Sequence, residues 1–291
     1  MSTEGSAPGK FILSGEYAVV FGWPGIAIPA PLTLRATFNE DRTCGGIDVV
    51  WEDSERSAQW DAYLLDILHA VAQCKGMIFQ GKLVIENKIP LRKGMGSSTA
   101  LVVAVSRCFL GKECKKEALS IEQRMNPQGS GIDFAVIWEE RPLLFRRERE
   151  PQPIELPKNL LKDALLIDTG TPNETTGELV EWIRENQEDC ADALATIGAC
   201  TQMLLDGTDL PTVLKEHHRA QVTLGVVPYE VQELAAEIEA AGGAAKVLGA
   251  GARTGGGGMV LATGDNPGKI EDIATAHSLS WIRIPPNSPV L

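Results

Sequence analysis

A glycine-rich segment at residues 90–100 is followed by apolar residues that recur at helical spacing. Its glycines, Gly94 and Gly96, let a ligand approach the backbone closely. The N–H groups at the start of the following helix, and the positive end of its dipole, favour phosphate. The same residues could also form an ordinary glycine turn capped by a serine. The segment is not a P-loop, because the pattern G-x-x-x-x-G-K-[ST] is absent.

Two acidic residues, Glu122 and Asp133, lie eleven positions apart, separated by the end of a predicted helix and a short loop. Such a connection can return both carboxylates to one site. One acid could hold Mg²⁺ while the other orients or accepts the proton of a substrate hydroxyl, as phosphoryl transfer requires. Taken alone, the spacing is more typical of two acids on a solvated helix face.

Two further segments combine glycine with positive charge. Six glycines occur in residues 249–258, between two predicted strands. This composition costs backbone entropy, which packing against a ligand would explain, although a flexible hairpin loop has the same composition. Lys10 follows a Pro-Gly turn, where it could pair with an anion or lower the pKa of an acid. A surface lysine is the alternative interpretation.

Periodicity and turn residues predict the elements that must position these groups. Strands are predicted at residues 11–13, 18–21, 32–38, 47–51, 82–87, 142–145, 165–168, 246–248 and 259–262. Helices are predicted at residues 60–74, 97–109, 115–124, 175–186, 189–205, 210–223 and 229–241. The charged, proline-rich stretch 146–157 is the predicted linker, which divides the chain into domains 1–157 and 158–291. Strands and helices mix without a strict βαβ repeat, which favours the α+β class.

Composition excludes several classes of protein. The chain has 291 residues, of which 44% are hydrophobic, enough for one large core or two smaller ones. Its net charge of −12 argues against nucleic-acid or anionic-membrane partners, which require a basic face. No apolar stretch reaches the roughly eighteen residues of a membrane span, and the N-terminus has no apolar signal region. None of the six cysteines forms a C-x-x-C pair, so we expect reduced thiols in a cytoplasmic protein.

Three segments, in order, resemble signatures of the superfamily that comprises galactokinases, homoserine kinases, mevalonate kinases and phosphomevalonate kinases (GHMP kinases). Residues 7–20 resemble its first motif, and residues 90–100 resemble the second, which binds ATP phosphates. Residues 246–251 with 255–258 resemble the third. Within the superfamily, residues 129–136 (GSGIDFAV) are similar to a segment of the mevalonate kinase branch.

The resemblance implies an ATP- and Mg²⁺-dependent kinase that phosphorylates a small alcohol, mevalonate, to 5-phosphomevalonate in isoprenoid biosynthesis. It implies that Asp133 is the catalytic aspartate and that Lys10 contacts both this aspartate and phosphate. It implies that Ser98 and Glu122 bind Mg²⁺. The implied nucleotide-binding residues are Lys93, Gly94, Met95, Gly96, Ser97, Ser98, Thr99, Gly249 and Gly251. The candidates for substrate contact are Glu16, Tyr17, Ser130 and Thr171.

The implied fold has two α+β domains, an N-terminal one like ribosomal protein S5 and a C-terminal ferredoxin-like one, with the active site in the cleft between them. A homodimer is a possible assembly. The sequence departs from the mevalonate kinase pattern at three places. Tyr17 replaces a histidine and is common in phosphomevalonate kinases, residues 126–129 replace H-G-x-P, and residues 252–254 interrupt the glycines of the third motif.

These departures leave a phosphomevalonate kinase as an alternative, because Arg92, Lys93 or Arg253 could bind the additional phosphate of its substrate. A decarboxylase of the same fold and a non-enzymatic binding module are further alternatives. The retained S-G-I-D context argues against the first, and the presence of both Glu122 and Asp133 argues against the second.

Overall fold

The computed structural model describes residues 2–52 and 57–284. The strands are β1 (Ser2–Ser14), β2 (Gly25–Glu40), β3 (Ile47–Glu52), β4 (Gly81–Asn87), β5 (Leu143–Phe145), β6 (Gln152–Pro153), β7 (Leu165–Asp168), β8 (Gly243–Val247), β9 (Met259–Gly264) and β10 (Ser280–Arg283). The helices are α1 (Ala58–Lys75), α2 (Ser97–Leu110), α3 (Lys115–Met125), α4 (Ile132–Glu139), α5 (Thr176–Glu185), α6 (Gln187–Leu205), α7 (Leu210–Thr223), α8 (Tyr229–Ala240) and α9 (Pro267–Ala276). The predicted α+β class is confirmed. No helix in the described part of the chain combines the length and the hydropathy needed to cross a membrane.

All seven predicted helices are present, and eight of the nine predicted strands overlap strands of the structure. The strand predicted at residues 18–21 is wrong, because Ala18–Phe21 forms a short 3-10 helix. Tyr17 (φ 63°) and Gly22 (φ 89°) bracket this segment in left-handed backbone, which reverses the chain and prevents extension. Helices α4 and α9 and strands β6 and β10 were not predicted.

The compact units of the chain are discontinuous in sequence. The first comprises Met1–Lys10, Leu32–Leu91 and Gly96–Glu140, and the second comprises Phe11–Pro31, Arg92–Met95 and Arg141–Leu291. The predicted linker is therefore part of the second unit, where β6 pairs antiparallel with β5. The linear division into residues 1–157 and 158–291 stays a prediction about domains, whereas the compact units interleave along the chain.

In the first unit, β4 pairs antiparallel with residues 34–40 of β2 and parallel with β3. Helices α1, α3 and α4 pack against α2. Eleven of the fourteen α2 residues are buried, because its apolar and small side chains surround the whole helix. A helix that is apolar on all sides belongs in a core, so α2 is held on several faces and its first turn is fixed in space.

In the second unit, an antiparallel sheet has the order β10-β7-β9-β8, and residues 25–27 of β2 pair with β5. Helices α7 and α8 contact β8, while α9 contacts β9. The apolar faces of this sheet and of α8 share one core that includes Ile167, Val247 and Ile238. The turn between β8 and β9 carries the glycine run.

Strand β1 approaches α2 closely at Gly5 in the first unit. A Cβ atom at Gly5 would lie 2.2 Å from the Ala104 carbonyl oxygen and 2.4 Å from the Cys108 nitrogen. Contacts this short with backbone atoms cannot be relieved by a side-chain rotation. Glycine at position 5 is therefore required for β1 to pack on the helix.

We expect Gly5→Ala to lower the free energy of unfolding by about 3 kcal/mol, because the added methyl group overpacks the β1–α2 contact. Gly46→Ala is the matched control, since a Cβ atom there meets nothing within 4 Å. Neither glycine has a left-handed φ. Urea denaturation of both variants measures the difference, and equal stabilities would contradict the close approach.

Candidate active site

A buried lysine and a catalytic-type aspartate form an ion pair in the first unit. The Lys10 Nζ atom lies 3.3 Å from Oδ1 of Asp133, and the two side chains are 4% and 34% exposed. Lys10 belongs to β1, and Asp133 lies in the first turn of α4. The structure thus brings together the two residues predicted to be catalytic, and it leaves the Asp133 carboxylate accessible to a substrate.

Gly96 allows the stem of Lys10 to lie against the start of α2. A Cβ atom at Gly96 would be 2.9 Å from Cγ of Lys10 and 3.0 Å from Cδ1 of Ile137. Gly96 also has φ 73°, a left-handed conformation that most side chains disfavour. The lysine and the phosphate-binding candidate are therefore adjacent within one unit.

The N-terminus of α2 can accept an anion. No side chain caps the helix there, and its first turn contains no acidic residue. Uncapped N–H groups and the helix dipole favour a bound phosphate. Ser97 and Thr99 are buried, whereas Ser98 is half-buried. Of these three predicted nucleotide-binding residues, Ser98 is the one that retains access to a ligand through its side chain.

Glu122 is a buried carboxylate with one satisfied and one unsatisfied oxygen. Its Oε1 atom accepts hydrogen bonds from Thr99 Oγ1 at 2.8 Å and from Asn126 Nδ2 at 2.9 Å. Its Oε2 atom is buried and has no hydrogen-bond partner among the residues that the structure describes. Burial raises the pKa of Glu122 to about 7, and the negative charge of Asp133 contributes to the increase. A cation beside Oε2 would satisfy the oxygen and reverse this shift.

Tyr63 and Asn126 connect the two predicted metal ligands, and sequence reasoning missed both. The Asn126 amide donates to the Tyr63 hydroxyl at 3.1 Å as well as to Glu122, and Tyr63 also interacts with the Ser98 hydroxyl. Burial raises the pKa of Tyr63, so the phenol stays neutral. Tyr63 lies on α1, far from Ser98 in sequence, and only the packing of α1 on α2 places it here.

The residues present fit a magnesium ion that is bound together with a nucleotide. Within residues 2–52 and 57–284, no group of three or more His, Cys, Asp or Glu side chains could hold a metal without help. Mg²⁺ prefers oxygen ligands and commonly takes one or two from the protein, with waters and substrate phosphates completing the shell. The unsatisfied oxygen of Glu122 and the hydroxyl of Ser98 meet this requirement.

In the second unit, the glycine run packs against the segment that leads into α2. A Cβ atom at Gly94 (φ 80°) would lie 2.0 Å from the Leu248 carbonyl oxygen, and one at Gly249 (φ 72°) would lie 2.7 Å from Cα of Gly94. The Met259 N–H donates to the Lys93 carbonyl at 3.1 Å. Backbone packing within the protein therefore requires these glycines.

Lys93 and Met95 have protein partners in the second unit. The Lys93 ammonium is ion-paired with Asp168 at the end of β7, and Met95 is fully buried. Met95 can therefore reach a nucleotide only through its backbone. Gly251 (φ 65°) sits against the Val226 carbonyl oxygen, which a Cβ atom would approach to 2.2 Å. Contact of these residues with nucleotide stays a prediction.

Glu16 lies in a buried cluster of charged groups in the second unit. Its carboxylate is ion-paired with Lys246, and its Oε2 lies 2.9 Å from Nε2 of His217. Burial alone would raise the pKa of Glu16, but Lys246 and His217 lower it to about 2. Burial also lowers the pKa of His217. Sequence reasoning missed Lys246 and His217, and it assigned Glu16 a contact with substrate that stays a prediction.

The other substrate candidates differ in accessibility. Tyr17 is buried and its hydroxyl donates to the Ala250 carbonyl. Ser130 is half-buried and its Oγ atom accepts from the Ile132 N–H at 3.3 Å, while Thr171 is exposed. Thr171 is thus the candidate in the second unit whose side chain is open to solvent, and Ser130 is the one beside α4.

Comparison with known proteins finds similarity to kinases of one superfamily. Residues 62–137 match the family described as GHMP kinases N terminal domain. The mevalonate kinase of Pyrococcus horikoshii is 28% identical over 321 residues, which cover 94% of this chain and 92% of that protein. The mevalonate kinase of Pyrococcus furiosus is 28% identical over 341 residues, which cover 100% and 96%. The structure of Methanococcus jannaschii mevalonate kinase superposes with a TM-score of 0.77 at 19% identity and covers 97% of both chains.

The chain is similar to kinases of the GHMP superfamily, because residues 62–137 match the N-terminal domain of that family and the fold superposes on that of a mevalonate kinase. Within the superfamily, the resemblance to mevalonate kinases is confirmed by relatives that match the chain over nearly its whole length.

The raised pKa of Glu122 predicts a distinct pH dependence of stability. A native pKa of about 7 against an ordinary value of 4.5 means that the native state binds more protons between these values. Stability should therefore fall as pH rises from 5 to 8 without Mg²⁺, by about 3 kcal/mol from this group. Glu122→Gln should remove that part of the decrease, as measured by urea denaturation at both pH values.

The control for this experiment is Glu113→Gln, because Glu113 is exposed. This variant should keep the pH dependence of the wild type. If Glu122→Gln also kept it, Glu122 would not be the buried titrating group.

Proposed function

We propose that this protein transfers the γ-phosphate of ATP to the hydroxyl of mevalonate and forms 5-phosphomevalonate. The observation that carries the proposal is the ion pair of Lys10 with Asp133, adjacent through Gly96 to the uncapped start of α2. This arrangement supplies a proton acceptor, a fixed positive charge and a phosphate site in one compact unit. The names of the relatives support the choice of alcohol.

Asp133 and Lys10 divide the chemical work. The Asp133 carboxylate accepts or orients the proton of the substrate hydroxyl. The hydroxyl oxygen then forms a bond to the γ-phosphorus, and the bond from that phosphorus to ADP breaks. Lys10 is nearly fully buried, so its positive charge is poorly screened, and its ion pair with Asp133 holds the carboxylate in position. The same ammonium can stabilise negative charge that develops on the transferred phosphoryl group.

Ser98 and Glu122 are the residues that would hold Mg²⁺ in this proposal. The ion supplies positive charge that neutralises the phosphate oxygens. The first turn of α2 and the preceding segment, from Lys93 to Thr99, would bind those phosphates, with Gly249 and Gly251 supporting that segment. Ser130, Thr171, Glu16 and Tyr17 are proposed to line the substrate end. We place the activity in the cytoplasm, and a homodimer stays a prediction.

Asp133→Asn should lower kcat by about 10³-fold, because an amide cannot accept the proton, while ATP binding persists. A coupled ADP-release assay measures turnover, and quenching of tryptophan fluorescence measures nucleotide binding. Glu139→Gln is the matched control, since it neutralises another acid on the same helix, at the far end of α4. Near-normal turnover of Asp133→Asn would refute the assignment.

The same assay, run on the wild type with mevalonate and with 5-phosphomevalonate, separates the proposed function from its main alternative. Phosphate transfer to mevalonate alone supports the proposal. Transfer only to 5-phosphomevalonate would replace it with phosphomevalonate kinase activity.

Ser98→Ala should raise the Mg²⁺ concentration needed for half-maximal rate by about 10-fold, because it removes one proposed ligand. Ser106→Ala makes the same change on the same helix, at a buried hydroxyl for which the described residues offer no hydrogen-bond partner, so it should leave the requirement unchanged. Titration of Mg²⁺ at fixed ATP measures both variants. An identical requirement in wild type and Ser98→Ala would exclude Ser98 as a ligand.

A further inference from the structure

An arginine inside the glycine run is held against an aromatic ring. Arg253 interrupts the glycines of the third motif, and its side chain is exposed. The guanidinium carbon lies 4.2 Å from the centroid of the Trp182 ring, which belongs to α5. A cation over an aromatic face is attracted by the ring, so this exposed side chain has a preferred position instead of many.

The backbone around Arg253 is attached to the segment that contains Thr171. Pro172 forms an antiparallel bridge with Gly255, the Gly256 N–H donates to the Thr171 carbonyl at 3.0 Å, and the Asn173 N–H donates to the Thr254 carbonyl at 3.2 Å.

Gly256 makes this pairing possible, since a Cβ atom there would lie 2.3 Å from the Gly170 carbonyl carbon. The arginine is therefore fixed to the segment of Thr171, one of the residues predicted to line the substrate end.

The acid nearest to this arginine in the hydrogen-bond network is bonded to its backbone N–H and not to its guanidinium. Oε2 of Glu174 accepts from the Arg253 backbone N–H at 3.1 Å and from the Thr254 N–H at 3.3 Å, and Oε1 accepts from the Thr254 hydroxyl at 2.7 Å. Partial burial alone would raise the pKa of Glu174, but these bonds lower it and keep the carboxyl ionised. In the described part of the chain, no acidic side chain forms an ion pair with the Arg253 guanidinium.

We propose that Arg253 binds the carboxylate of the alcohol substrate and determines specificity for a hydroxy acid, an inference that rests on the proposed function. The interaction with Trp182 uses no hydrogen-bond acceptor, so the planar array of N–H donors remains available. That array matches the two oxygens of a carboxylate, and the prior placement of the side chain lowers the entropy lost on binding. Trp182 is the positioning residue for this contact.

The charge of the site favours a carboxylate over a second phosphate group. A single guanidinium balances one negative charge. The other two cations that could bind an additional phosphate have acidic partners in the same unit. Lys93 is ion-paired with Asp168, and Arg92 interacts electrostatically with Glu178. The site is therefore suited to an acid with one negative charge beyond the reacting hydroxyl.

Steady-state kinetics with mevalonate and with its primary amide test the proposal. Arg253→Gln should raise KM for mevalonate about 30-fold, while KM for ATP stays unchanged and kcat changes less than about threefold. Arg253→Lys should raise KM for mevalonate about tenfold, because an ammonium keeps the charge but lacks the planar array of donors. The wild type should prefer the acid over the amide, and Arg253→Gln should not.

Arg184→Gln is the matched control, because Arg184 is an exposed arginine on the same helix as Trp182 and is ion-paired with Glu181. This variant should keep the kinetic constants of the wild type. Thermal unfolding establishes that each variant is folded, and Arg253→Lys provides the comparison if Arg253→Gln does not fold.

The possible failures are distinguishable. A wild type that transfers no phosphate to mevalonate overturns both the proposed function and this inference. If the wild type is active, and if KM for mevalonate of both Arg253→Gln and Arg253→Lys lies within about twofold of the wild-type value, the inference alone is overturned. Equal increases in KM for the acid and for the amide also overturn it, because the arginine would then not distinguish the carboxylate from the amide.

Discussion

The burial of the Lys10 ammonium is the constraint on which the first unit depends. A charged group at 4% exposure must be paired, or the fold loses stability, and the described partner of Lys10 is Asp133. The pair forms only if β1 lies close to α2, which Gly5 permits, and if the start of α2 leaves room for the lysine stem, which Gly96 provides. The position of the charge that is proposed to act in catalysis is thus determined by backbone packing.

The glycines of the second unit are also required by backbone packing, and this requirement changes the interpretation of the glycine-rich sequence. Six glycines in ten residues suggest either a flexible loop or a surface for a ligand. In the structure, the backbone of the run packs against two other backbone segments of the chain, with Gly249 against Gly94 and Gly256 against Gly170. A side chain at any of these contacts would separate the segments. The third motif therefore supports the start of the second motif, and their joint occurrence in the sequence has a physical reason.

What could be predicted from the sequence was set by the length and regularity of each element. Long amphipathic or apolar segments such as α2 were located nearly to the residue, because many side chains report one period. Residues 18–21 were misassigned because four apolar residues fit a strand as well as a helical turn, and the left-handed backbone at Tyr17 has no sequence signal. The resemblance of the motifs also predicted the contact between Lys10 and Asp133, which the structure shows as an ion pair. Lys246 and Tyr63 escaped prediction because their roles arise only from long-range packing.

The two buried glutamates differ in how the chain compensates their charge. Glu16 is surrounded by Lys246 and His217, so its pKa falls to about 2 and its charge is neutralised within the protein. Glu122 has only neutral donors on one oxygen, so its pKa rises to about 7. An uncompensated buried acid costs stability, and such a cost is tolerated mainly at functional sites. The contrast therefore supports the proposal that the partner of Glu122 is a bound cation.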